Sequence, residues 1–374
     1  MVIGLVTPFN PFEDRKAWSG IIFKVREAIE QAGFDLVWIP YNNRPFIEIL
    51  LRIVNKIVRV LPFGKEILLG PHHPYIAKLY AESVNEDLVN DVDYLFFPGG
   101  AQISLFMKTE KPVIYFADAS VYVMIDYYWP NISKTSQRRA KELEERACKK
   151  AAMNIRTSQW ALNSVIKDCG CDPKKCYVME FGYNLDKHDI QPIEPYKSGP
   201  LRLLFSGVDW ERKGGQIALE TLELLRSKGV DAYLTIVGPK QCPSECERED
   251  VDFVGFLNKN SQEDYYKYIG IMRQSHLLIL PTRAECAGIV FSEAAAFGMP
   301  AYIYDTGGTS NYVINDVNGY AFPLSATAAD FAIRIYDDIS NGKMSVYRDN
   351  SLKLSSEKLS WDVWSSKFKR LMCD

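Results

Sequence analysis

The strongest constraint on this chain is a rhythm of two alternating patterns. Short runs of β-branched, aromatic and aliphatic residues alternate with longer stretches of helical apolar periodicity. Runs at 2–6, 36–39, 67–69, 94–97, 113–116, 154–157 and 177–180 predict strands, and 21–32 and 138–150 predict helices between them. Strands that read as continuous apolar runs are buried on both faces, so the alternation predicts a parallel sheet with helices on either side. The rhythm stops at residues 186–200, where Pro192, Pro195, Gly199 and Pro200 lie among charges, a composition suited to a linker. It then restarts, with strands expected at 201–206, 233–237, 252–254, 277–281 and 301–304. Helices are expected at 215–227, 264–274, 292–297 and 328–341.

The chain therefore divides into two doubly wound α/β domains, 1–190 and 191–355, followed by a terminal segment, 356–374. In that segment Trp361, Trp364, Phe368 and Leu371 form one helical stripe, which predicts a helix that packs back across the domain junction. In doubly wound sheets ligands bind outside the carboxyl ends of the strands. Two such domains facing a central cleft would hold one ligand between them.

Composition narrows the function classes. Of 374 residues, 47% are hydrophobic and 24% charged, which excludes a disordered chain. Lys plus Arg number 44 against 47 Asp plus Glu, so no global basic field recommends nucleic acid as a partner. The first residues form a strand pattern rather than a signal peptide, and no run of ~18 apolar residues suggests a membrane span. A cytoplasmic location is expected. Cys169, Cys171 and Cys176 cluster in sequence, as do Cys242 and Cys246, but without the paired C-x2-C spacing of a zinc knuckle. They are expected to be reduced thiols.

Three segments carry chemistry, each just after a predicted strand. In Ser206-Gly207-Val208-Asp209-Trp210-Glu211-Arg212-Lys213-Gly214-Gly215, glycines permit backbone positions that a Cβ would block, and two cations precede a helix N-terminus. That arrangement suits a diphosphate; a solvated basic turn is the plainer alternative. In the segment from Pro281 to Pro300, Glu285 and Gly288 occupy a loop before a small-residue helix, and Glu293 is expected in its first turn, where the macrodipole favours a carboxylate. Glu293 can accept hydrogen bonds from a vicinal diol such as ribose. The alternatives are helix capping for Glu293 and solvent exposure for Glu285. The third segment, Asp305-Thr306-Gly307-Gly308-Thr309, supplies a tight loop. Gly238, in Val237-Gly238-Pro239, and Phe253-Val254-Gly255-Phe256 are placed to frame a base pocket.

Together these segments resemble the retaining nucleotide-sugar glycosyltransferases of family 4, which have the two-domain GT-B fold with Rossmann-like halves. The pair Glu285-x7-Glu293, the segment Asp209–Gly214 and Asn318-Gly319-Tyr320 carry the likeness most specifically. Trp18-Ser19-Gly20 looks like the family's N-terminal glycine loop on the acceptor side, and Asp118-Ala119-Ser120 like a variant of its central cleft motif. The resemblance implies transfer of a sugar from a nucleoside-diphosphate sugar to a glycan, lipid-linked or small-molecule acceptor, as in polysaccharide biosynthesis, with retained configuration. It gives Glu293 the donor ribose, Glu285 the hydroxyls of the transferred sugar, and Arg212 and Lys213 the diphosphate. The backbone of Gly288, Ile289 and Val290 would cap the phosphate oxygens, with Gly207, Gly238, Gly307 and Gly308 as donor-site glycines and Asp118 as a polar group near the acceptor. No metal and no prosthetic group are implied. Where the family carries an Arg beside the first glycine of the phosphate loop, this chain has Val208. Two alternatives stay open: a sugar-nucleotide epimerase of related fold, and a non-catalytic subunit that binds nucleotide sugar.

One further stretch stands apart. From Arg44 to Lys65, apolar residues fill most positions, while Glu48, Arg52, Asn55 and Arg59 recur on one helical face. A basic amphipathic helix of this kind can lie in a membrane interface. It can equally bury a wide apolar face in the first domain's core.

Overall fold

A computed structural model describes residues 1–61 and 63–373; Pro62, inside the basic amphipathic stretch, and Asp374 lie outside the described residues. Among the described residues the apolar runs become twelve strands, all paired in parallel. In the first sheet, β1 (Val2–Val6), β2 (Asp35–Ile39), β3 (Tyr94–Pro98), β4 (Val113–Ala117), β5 (Met153–Arg156) and β6 (Cys176–Val178) lie in the order β2-β1-β3-β4-β5-β6. In the second, β7 (Leu201–Ser206), β8 (Ala232–Val237), β9 (Val251–Gly255), β10 (Leu277–Leu280), β11 (Ala301–Tyr304) and β12 (Gly319–Phe322) lie in the order β12-β11-β10-β7-β8-β9. Central strands are buried on both faces: Leu203, Leu204, Leu278 and Ile279 are all fully enclosed. That is why they carry no polar alternation.

Two compact units contain these sheets. The first comprises Met1–Ala17, Ile22–Met179 and Lys367–Asp374; the second comprises Trp18–Ile21 and Glu180–Ser366. Phe368, at the end of the terminal helix Trp361–Cys373, is part of the first unit, where its ring meets Phe34 and Phe96 edge-on at 5.7 and 5.9 Å. Residues 67–69 form no strand; Glu66 makes a lone bridge to Ile132, and Ile67 bonds instead to the side chain of Asn55. The strand pattern there was too short to be decided locally. The second sheet gains β12, whose Gly-Tyr-Ala-Phe run pairs with β11. The clustered cysteines Cys169, Cys171 and Cys176 are buried free thiols in the first unit's core. No helix among the described residues is long and apolar enough to cross a membrane.

Strand order fixes where a site can form. In the second sheet the chain winds outward from β7 through β8 to β9, then returns to the other side of β7 and winds through β10 and β11 to β12. The order therefore reverses between β7 and β10, which pair through Leu203 with Leu277 and Leu204 with Leu278. A crevice opens at such a switch point because the two loops leave in opposite directions.

Candidate active site

The loops that follow β7 and β10 are the ones carrying the charged motifs, and they interlock. The Arg283 backbone N–H donates to the Arg212 carbonyl at 2.8 Å, and the Arg212 guanidinium donates back to the Ala284 carbonyl at 2.8 Å. Gly214 has φ +76, and a Cβ there would lie 2.0 Å from the Pro281 carbonyl oxygen. Only glycine lets the turn pass this close to the neighbouring loop. Gly238, after β8, stands in the same relation to Gly207: its Cβ would lie 2.5 Å from the Gly207 carbonyl oxygen.

This close approach brings Lys213 and Glu285 together. The Lys213 ammonium donates to Glu285 Oε2, with the two side chains only 12% and 10% exposed. Glycines enclose the pair. A Cβ on Gly207 would press on the Lys213 stem at 2.9 Å, and one on Gly288 would meet Glu285 Cγ at 3.2 Å. The Gly308 backbone N–H, in the loop after β11, donates to the Glu285 carbonyl at 3.1 Å. Gly307, with φ +58, makes the turn that delivers it. Arg212, besides its bond to Ala284, has Asp209 at 3.4 Å as an ion partner.

Glu293 forms the second half of the site. The helix Ile289–Phe297 starts after Gly288, so Glu293 lies beyond the first turn, not within it as expected. The macrodipole acts mainly at the first turn and cannot be what stabilises this carboxylate, which is 1% exposed. Two side-chain donors do so instead. Lys259 Nζ lies 2.5 Å from Oε1, and the Tyr268 hydroxyl donates to Oε2 at 2.8 Å. Burial, and then the charge of Glu293, push the Tyr268 phenol well above its usual range, so it stays protonated as a donor. Tyr268 also lies 3.4 Å from the Ser206 hydroxyl, beside Gly207. Glu285 is thus tied to the loop after β7 through Lys213, and Glu293 to the end of β7 through Tyr268 and Ser206.

The helix start supplies a further feature. The amides of Gly288, Ile289 and Val290 stand at its first turn, where N–H groups have no intrahelical acceptor. Nearby, an open cleft of about 950 Å³ is lined by residues from Val208 to Glu211, by Gly238 to Pro243 and by Phe256. Val208, Trp210, Pro239, Pro243 and Phe256 give it apolar walls for a flat heterocycle, and Asp209, Glu211 and Lys240 add charge to the lining. Among the described residues no group of three or more His, Cys, Asp or Glu side chains could hold a metal ion.

Every expected site residue except Asp118 belongs to the second unit. Asp118 is half-buried after β4 in the first unit. Ser19 and Gly20 lie in a 3-10 turn, Ala17–Gly20, within which Trp18, Ser19 and Gly20 all have positive φ. The Ser19 carbonyl accepts from Asn184 Nδ2 at 2.7 Å, and Trp18 meets Phe181 edge-on at 5.5 Å. Lys259 and Tyr268 escaped the sequence reading. Lys259 follows the carboxyl end of β9, a position that the sheet type marks for ligands, but its pairing depends on a helix 34 residues away.

Comparison with known proteins agrees with this architecture. Residues 186–351 match the family described as Glycosyl transferases group 1. A D-inositol 3-phosphate glycosyltransferase of Arthrobacter sp. (strain FB24) is 26% identical over 154 residues, covering 38% of this chain and 35% of that protein. The amylovoran biosynthesis glycosyltransferase AmsK of Erwinia amylovora is 25% identical over 178 residues, 44% of this chain and 42% of that protein. The matches thus span less than half the length of these relatives. Among solved structures, a sucrose-phosphate synthase from Thermosynechococcus elongatus superposes with a TM-score of 0.69 at 16% identity, covering 100% of this chain and 98% of that one. The Anabaena protein Alr3699/HepE, solved with UDP and glucose, gives 0.63 at 14% identity, with 99% of each chain covered. The fold is the two-domain, Rossmann-like GT-B fold.

Proposed function

We propose that this protein is a glycosyltransferase that moves a sugar from a nucleoside-diphosphate sugar to a glycan, lipid-linked or small-molecule acceptor with retention of configuration. The observation that carries the reading is the convergence of Glu285, Glu293, Lys213 and Arg212 on the β7/β10 switch point. The family match over residues 186–351 supports it.

The chemistry follows from the geometry. Breaking an anomeric C–O bond leaves an oxocarbenium-like sugar and a diphosphate that gains negative charge as the bond lengthens. Lys213 and Arg212 would stabilise that charge more in the transition state than in the ground state, assisted by the amides at the start of Ile289–Phe297. The donor diphosphate would take the Lys213 ammonium from Glu285, freeing that carboxylate to accept from hydroxyls of the transferred sugar. Glu293 would accept from the ribose diol while Tyr268 and Lys259 keep the carboxylate charged and oriented. Gly238, Pro239 and Phe256 would wall the base. In the retaining reaction the leaving phosphate would help deprotonate the acceptor on the same face. Asp118, Ser19 and Gly20 are assigned to the acceptor side.

A thermal-shift panel of UDP, GDP, ADP and TDP and their sugars tests the donor assignment. A cognate nucleotide at 100 times its Kd stabilises the folded state by about 2.7 kcal/mol. Release of nucleoside diphosphate in the presence of acceptor then tests transfer, and the anomeric configuration of the product tests retention. No shift with any nucleotide would defeat the proposal. Binding without release across sugars and acceptors would leave a binding subunit, and conversion of the donor without an acceptor would mark an epimerase.

A further inference from the structure

The helix Phe46–Arg59 of the first unit exposes far more apolar surface than an ordinary surface helix. Two of its polar residues, Glu48 and Asn55, turn toward the protein, while Arg52 and Arg59 stay exposed. Glu48 is fully buried and accepts from the Tyr80 hydroxyl. Asn55 donates to the Ile67 carbonyl at 2.8 Å and accepts from the Ile67 amide at 3.0 Å. Leu51 packs on the core beside them, but most of the apolar side chains face away. Phe46, Ile53 and Ile57 are 74, 51 and 56% exposed, and the ridge continues past the helix end through Val60 and Phe63, which are 80 and 98% exposed. Neither core placement nor chance explains this, since soluble proteins scatter exposed apolar residues singly instead of aligning them.

Cations border the ridge. Arg44, Arg52, Lys56, Arg59 and Lys65 are all exposed. The nearby acids Glu48 and Glu66 are already engaged, by Arg52 at 2.6 Å and Arg59 at 2.7 Å. Three cations therefore remain in excess. Lys56 lies three residues after Ile53, on the neighbouring edge of the ridge. At 1.5 Å per residue the 14-residue helix is about 21 Å long, too short to span a bilayer of ~30 Å. It can lie in the plane of one.

We propose that this face docks the protein on an anionic lipid bilayer, with the apolar ridge below the headgroups and the bordering cations on lipid phosphates. Charge decides between occupants: a second copy of the same face would bring like cations together around the ridge, whereas anionic lipid neutralises them. The proposal stands on this surface alone and does not depend on sugar transfer.

The full chain is sedimented with phosphatidylcholine vesicles, with and without phosphatidylglycerol, at low and high salt. Binding is expected to the anionic vesicles and to weaken as salt screens the cations. Ile53→Glu with Ile57→Glu, at exposed positions, should abolish it while leaving the melting temperature unchanged. Lys56→Ala should weaken partitioning about fivefold, the equivalent of roughly 1 kcal/mol per surface cation. No binding of the wild-type chain to anionic vesicles overturns the proposal, as does unchanged binding in both variants. A dimer dissolved by the double substitution, with no vesicle binding, would assign the face to a second copy instead.

Discussion

Replacing Lys213 by methionine separates its two roles, because the substitution removes the ammonium and keeps most of the stem. With Lys213 gone, Glu285 is left 10% exposed with its principal charged partner missing. A hydrogen bond to a charged group contributes about 1.5–3 kcal/mol. A unit of this size loses about 2–4 °C for each kcal/mol, so Lys213→Met should lower its melting transition by about 3–12 °C. The same interaction, transferred to the diphosphate in the transition state, should lower kcat/KM by about 10- to 150-fold. Adding Glu285→Gln distinguishes the two effects. It removes the charge that Lys213 balanced, so the double variant should recover most of the lost melting temperature while turnover stays low. Calorimetry and a nucleoside-diphosphate release assay on the four proteins of this cycle measure both quantities. Native turnover in Lys213→Met, or recovery of melting temperature and turnover together in the double variant, would refute the reasoning.

Three more expectations follow from particular contacts. Tyr268→Phe deletes one of the two donors to the Glu293 carboxylate and should weaken nucleotide binding about 10- to 150-fold by titration calorimetry, since a hydrogen bond to a charged group contributes about 1.5–3 kcal/mol. Gly214→Ala must displace the β7 loop from Pro281, so nucleotide affinity should fall by at least tenfold while circular dichroism shows the sheets intact. His72 keeps part of its ring at the surface, but its Nδ1 is shut off from water without a partner, and burial lowers its pKa to about 4. The unfolded chain takes up this proton near pH 6.5 and the folded chain only near 4. The stability from neutral His72 is therefore complete above pH 6.5 and lost as pH falls toward 4, by up to about 3 kcal/mol. His72→Phe should flatten that part of a urea-denaturation profile; an unchanged profile would disprove it.

The parallel sheets were legible because each strand announces itself locally. An apolar run between helical periods has few other places to go, and the glycine and glutamate motifs fall directly after such runs. Residues 67–69 show the limit: in so short an apolar run a side chain can take the backbone groups that a strand would pair, as Asn55 does at Ile67.

Sequence by itself determined the alternation, the two sheets and the chemical types gathered after β7, β10 and β11. Tertiary structure decided what those groups touch. Periodicity showed that residues 46–59 form a two-faced helix, but only the partners Tyr80 and Ile67 turned Glu48 and Asn55 inward and left an apolar ridge outside. Spacing placed Glu285 and Glu293 eight residues apart. Folding then gave one to Lys213 and the other to Lys259 and Tyr268, because β7 and β10 pair across 70 intervening residues and helix packing brings a third loop against them. Local pattern follows from local sterics and burial, whereas the partner of a buried charge is set by strand order, which no single segment encodes.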